Sequence, residues 1–155
     1  MKELLEYRKQ LVARLVSASE EFRDACLAVN DIRAPLNKDG WSVHQIAVHT
    51  RDVDRLIYGS RTQRTAREEN PEFTSFDSDT YMAEHYDANE PLEEILDDFV
   101  INVKALSEML TALPVETWSR VSRHTTLGGG LTLQTWVERG LAHIEEHLGT
   151  VIKGK

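Results

Sequence analysis

The chain holds a single cysteine among its 155 residues, so no internal disulfide can close. That fits a reducing compartment, and a cytoplasmic location is expected. Cys26 itself lies in "FRDACLAV", where an amphipathic helix points it inward as a small buried hydrophobe. No apolar stretch approaches the ~18 residues that a membrane span requires. The start, "MKELLEYRKQLVARLV", mixes charge with apolar residues from the first turn. It is therefore expected to be the first helix of the mature protein and no secretory leader. A basic excess is also missing: 18 Lys and Arg face 26 Asp and Glu, a net charge of −8. Nucleic acid and anionic membranes are held chiefly by clustered cations, so neither is expected as the main partner. The arginine-rich "RDVDRLIYGSRTQRTAR" is a local exception. Its charges recur at helical spacing among acids and apolar residues, as on a solvated helix face or at one edge of a site for anionic substrates. Finally, the chain has no nucleophile elbow and no Cys-based zinc pattern, and the glycines at 128–130 precede no phosphate-binding loop.

Helical periodicity, by contrast, is plentiful. Nothing repeats and no low-complexity segment divides the chain, so one domain over residues 1–155 is expected. The first helical segment runs from about Lys2 to Val29, with Leu4, Leu11, Leu15, Phe22, Cys26 and Val29 on one face. Pro35, Asn37, Asp39 and Gly40 keep the helix from continuing. A second helix starts sharply at Ser42. Ser42 and Gln45 have capping-box spacing, and Trp41 and Ile46 take the two places of a hydrophobic staple. Residues 68–89 read as a long excursion with one short helix near Thr80 to His85. The third long helix spans roughly Pro91 to Leu113, and its inner side is Leu92, Ile95, Phe99, Val103, Leu106 and Leu110. The fourth opens at Thr132 as N-cap, with Leu131 and Trp136 as a second staple, and reaches about Ile152. Strand signals are nearly absent; only "WSRVSRHTTL" offers a brief pairing. The expected fold is all-α, a four-helix bundle with a long irregular connection between helices 2 and 3.

Six histidines punctuate this pattern. On the second helix the stripe Val43, Ile46, Val53, Leu56 has a gap that His49 fills, so His49 faces inward. His44 shares its face with Arg51 and Arg55 and is expected to be solvated, about 140° around the axis from His49. His143 and His147 are one helical turn apart, on a stripe with Trp136, Gly140 and Val151. Gly140 leaves room one turn before His143 for a ligand or a close neighbour. His85 and His124 are expected on the surface or in loops. Three inward histidines on two helices of a bundle suit one divalent ion, with a coordination position left open for chemistry. An H-x-x-x-H pair also arises by chance, and an inward histidine also serves as a hydrogen-bonded core residue. The pattern alone leaves these alternatives open.

At Trp41, Ser42 and His49, and again at His143 and His147, the chain resembles the DinB-like (damage-inducible) superfamily of four-helix bundles. That family includes bacillithiol transferases and is related to mycothiol-dependent maleylpyruvate isomerases. Its second helix opens with Trp and Ser or Thr and has a histidine eight residues after the Trp; its last helix has two histidines four apart. The resemblance spans nearly the whole chain, including the Leu-Thr-Leu lead-in to the last helix. It implies a three-histidine metal site at His49, His143 and His147, with nickel, zinc, iron or manganese as the ion. It also implies a homodimer and a small-molecule substrate, a low-molecular-weight thiol being one candidate. The chain has Gln45 where members often have Glu, and Gln serves the helix cap equally well. Asp52 and Arg139 are candidates for a supporting or substrate role, with plain surface charges as the alternative. The expected activity is thiol S-transfer, conjugation or isomerisation, or hydrolysis by activated water. The competing expectations are a non-enzymatic metal-binding or stress-response protein, and a helical dimer without metal.

Overall fold

The structure, a computed structural model, describes residues 1–37 and 40–154. Asp39, one of the four expected helix breakers, lies outside them. Helix α1 (Lys2–Leu27) buries Leu11, Leu15, Phe22 and Cys26 as its period requires, whereas Leu4 in the first turn stays exposed. Helix α2 (Val43–Val53) begins where the sequence marks it. The Ser42 hydroxyl accepts from the Gln45 N–H at 3.2 Å, and the Gln45 amide oxygen accepts from the Ser42 N–H at 2.9 Å. Two otherwise unpaired donors of the first turn are satisfied in this way.

After Val53 the helix continues, but through a π-helical turn (Asp54–Gly59) into α3 (Ser60–Arg67). A π turn inserts about one extra residue and so shifts every face beyond it. The buried position expected of Leu56 passes to Ile57, while Leu56 is only half-buried. Glycine is needed at the end of this turn: a Cβ on Gly59 would lie 2.8 Å from the Asp54 carbonyl oxygen.

The remaining long helices are α5 (Leu92–Ala112) and α6 (Leu133–Lys153), with the short α4 (Ser78–His85) in the connection. Ile95, Phe99, Val103, Leu106 and Leu110 are buried along α5. Thr132 caps α6, its hydroxyl accepting from the Thr135 N–H at 3.2 Å. Contacts across the bundle show the helix directions. Tyr7 bonds Glu138 and Arg14 meets Glu145, so α1 and α6 run the same way. His44 meets Glu90 and Arg51 meets Asp98, so α2 and α5 are also parallel. Two parallel neighbours cannot be joined by a short turn, and residues 68–91 form the crossover that the chain needs.

Part of that crossover, with the segment before α6, forms a small sheet, of which the sequence marks only the brief pairing in "WSRVSRHTTL". Strand β1 (Glu72–Phe73) pairs in parallel with β2 (Val121–His124), which pairs antiparallel with β3 (Gly128–Thr132). Gly128 and Gly130 take φ of 92° and 70°, a region that side chains disfavour. The sheet is fastened to α6 through Trp136: its indole N–H donates to the Ser122 hydroxyl at 2.7 Å, and Phe73 meets its ring edge-on at 5.6 Å. Among the described residues no helix is long and apolar enough to cross a membrane.

Candidate metal centre

Helices α2 and α6 pack against each other, which brings one histidine of α2 against two of α6. The Nε2 atoms converge: His143 to His147 at 2.9 Å and His143 to His49 at 3.4 Å. All three lie within 4.8 Å of one another, and no other such group of three occurs among the described residues. The rings are mutually inclined, at 56° to 81°, so their edges rather than their faces point at a common centre. A tetrahedral ion bound at 2.0–2.1 Å would hold its nitrogens about 3.3 Å apart. The spacing and the choice of donor atom therefore fit an ion.

Protonation agrees with that fit. Burial, with the charge of His147, lowers the His49 pKa to about 4, although Asp79, Asp52 and Glu146 nearby oppose the shift. Burial, with His147 and His49, lowers His143 to about 3, and burial also lowers His147. At neutral pH all three rings are uncharged and have lone pairs to give. Packing holds the rings in place. Trp41 lies 5.0 Å from His49, and Tyr58 lies 5.3 Å from His143. The Nδ1 of His143 is buried and makes no hydrogen bond to a described residue. Gly140 leaves room here for a close neighbour: a Cβ there would sit 3.2 Å from the Tyr58 Cβ.

His44 corrects the sequence reading. It is fully buried, and its companion Arg51 and the adjacent Asp52 are buried too. Its Nε2 donates to the Glu90 carbonyl at 2.7 Å, which leaves Nδ1 to accept from the Tyr86 hydroxyl. Arg51 pairs with the Glu90 and Asp52 carboxylates, and Arg55 reaches Asp52 at 3.5 Å. The face expected to meet water is covered by the end of the crossover and the start of α5. Asp52 is accordingly a buried ion-pair partner and not a surface charge. Arg139 is exposed, with its guanidinium over the Trp136 ring at 5.9 Å. His85 is exposed, as expected.

The three histidines open onto a cavity of about 480 Å³. Tyr58, Arg61, Ser75, Ser78, Glu146 and His124 also line it. His124 is the second correction: it sits on β2, 7% exposed, and faces this cavity rather than a solvent loop. Tyr58 and Arg61 escape a periodicity reading because the π turn alters the helical phase, and His124 escapes it because its strand is short. The Arg-rich composition of 51–67 is the one signal available for Arg61. A larger cavity of about 900 Å³ lies between α1 and the C-terminal half of α5. Its walls are mainly apolar and contain none of the histidines, so size does not mark the chemistry here.

The sequence matches the family model of the DinB superfamily over residues 25–151. No curated protein matches the chain. Among solved structures the fold superposes on YfiT from Bacillus subtilis with a TM-score of 0.85 at 18% identity, covering 96% of this chain and 86% of that one. YfiT is described as a probable metal-dependent hydrolase with an unusual four-helix bundle topology. At this identity the likeness concerns the fold.

Proposed function

The chain belongs to the DinB superfamily, and from that premise we propose that His49, His143 and His147 hold one divalent metal ion through Nε2 in a metal-dependent enzyme. The observation that carries this reading is the convergence of three neutral imidazole nitrogens at ligand spacing on the wall of a cavity. Such an ion supplies Lewis-acid chemistry, lowering the pKa of a nucleophile bound beside it. The nucleophile class is a low-molecular-weight thiol or water, and the description of YfiT favours water. The chain's own residues do the rest. Trp41 and Tyr58 pack against the His49 and His143 rings, Val53, Ile57 and Leu127 give the cavity apolar walls, and Ser75, Ser78 and Thr126 give it hydroxyl groups. The volume suits a small molecule, and the homodimer implied by the resemblance belongs to the same proposal.

Elemental analysis of the purified protein is the direct test. About one ion per chain, lost in His49→Ala, is the expected result. Thiol-dependent turnover of electrophiles is then compared with ester and amide hydrolysis by the same preparation. A protein grown with metals available that contains none has no such site. A metal-bearing protein inactive in both assays would instead be the non-enzymatic binder.

A further inference from the structure

The cavity is lined by one carboxylate, Glu146, and by one guanidinium, Arg61, which lies over Trp136 about two helical turns before His143 on α6. The charges that bear on His49 include the carboxylates Asp79, Asp52 and Glu146, whereas those that bear on His124 are Arg61 and Arg139. Arg51, Arg55 and Arg64 each meet an acid. Arg61 meets none among the described residues. Its contacts are a hydrogen bond from one terminal nitrogen to the Thr74 carbonyl at 2.9 Å, and the rings of Trp136 and Phe73 at 5.0 and 5.7 Å. The guanidinium carbon lies over both rings and Thr74 takes one N–H, so the remaining N–H donors have no hydrogen-bond acceptor among the described residues. A half-buried cation without a carboxylate is costly to keep: burial lowers the Arg61 pKa, Tyr58 opposes that shift and Arg139 adds to it.

His124 supplies a second donor. Its Nδ1 accepts from the Thr126 and Leu127 N–H groups at 3.0 and 3.2 Å. The ring proton of the neutral imidazole therefore lies on Nε2, and that N–H has no acceptor among the described residues. Burial and the two arginines keep the ring neutral, so the tautomer is held.

We propose that Arg61 and His124 form a carboxylate-binding subsite, so that the substrate of the proposed metal centre is a small molecule with a carboxylate at the end remote from the histidines. The planar edge of Arg61 matches a carboxylate in two hydrogen bonds, and the His124 Nε2–H adds a third. This rests on the metal-centre reading only for what happens at the other end of the molecule. The anion site is built from residues that touch none of the three histidine nitrogens.

Succinate, with succinamide as its uncharged counterpart, is titrated calorimetrically into the purified protein as isolated and after chelator treatment. Succinate is expected to bind both forms and succinamide neither. Arg61→Gln should weaken succinate about 10- to 100-fold. Arg61→Lys, which keeps the charge and loses the fork, should weaken it several-fold. His124→Asn, which keeps an acceptor for the Thr126 and Leu127 amides, should also weaken it several-fold. Exposed Arg64→Gln should leave it unchanged, and every variant should keep its metal content and melting temperature within a few degrees. Should Arg61→Gln unfold, Arg61→Lys and His124→Asn decide the matter. Equal succinate affinity in the wild type and these variants, or binding abolished by chelation alone, overturns the subsite. A protein that contains no metal as isolated, and whose succinate binding still depends on Arg61, overturns the metal reading and leaves the subsite standing.

Discussion

His44 and His49 lie five residues apart on one helix, and the protein treats their ring nitrogens in opposite ways. Both nitrogens of His44 are used within the protein, one donating to the Glu90 carbonyl and the other accepting from Tyr86. The Nε2 of His49 instead faces two other imidazoles. A third titratable group withdrawn from water, Asp54, begins the π turn. No hydrogen bond or ion pair to a described residue offsets its burial, which raises its pKa to about 7. Three polar side chains thus meet the cost of desolvation by three routes: internal hydrogen bonds, a proposed ion, and retention of a proton. The difference separates a structural histidine from one proposed to bind metal better than burial does, since the more buried of the two is the structural one.

Exchanging the two roles gives the largest effect. Each of His49→Ala, His143→Ala and His147→Ala should reduce bound metal from about one ion per chain to below about a tenth. Unfolding of the metal-free protein should change by only about 1 kcal/mol or less. His44→Ala should do the reverse, costing about 2–4 kcal/mol in urea unfolding while metal content stays constant. That substitution leaves a hole and strands both the Glu90 carbonyl and the Tyr86 hydroxyl. Metal loss in His44→Ala without loss of stability would invert the comparison.

Asp54→Asn sharpens it with the opposite sign. The folded state holds the proton up to a pKa of about 7, against an ordinary value of 3.8. The contribution of Asp54 is complete below the ordinary value and is lost as pH rises through about 7. The variant should therefore be more stable than the wild type at pH 8, by on the order of 2–4 kcal/mol, with little gain at pH 4. Melting temperatures across that range check the sign. The smallest effect belongs to Tyr86→Phe, which removes one donor to His44 and should cost about 1 kcal/mol without altering metal content.

Local chemistry made much of this molecule legible in advance. The Ser42–Gln45 box and the Thr132 cap mark helix starts because capping is settled within four residues. The buried face of α5 follows from periodicity; α2 before Asp54 is buried nearly all round, and His49, His143 and His147 are half-buried where they meet at the cavity. The misses share a cause. Treating α2 as a surface helix with one wet face puts His44 and Arg51 in water, because a helix does not reveal what another segment lays over it. A brief pairing is legible in 118–127, but its partners, the two-residue β1 and the glycine-rich β3, carry too little alternation to be read, which hides the setting of His124. One π turn is enough to move the buried position from Leu56 to Ile57 and to bring Tyr58 and Arg61 to the cavity.

By itself, the sequence determined the long helices, the inner face of α5 and the three histidines able to converge, since each depends on residues within a turn or two. Only the tertiary structure decided which histidines are satisfied by the protein, which acids are paired, and that Arg61 and His124 share a cavity with the triad. Those outcomes depend on the parallel placing of α2 and α5, which forces residues 68–91 across the bundle and brings groups remote in sequence into contact.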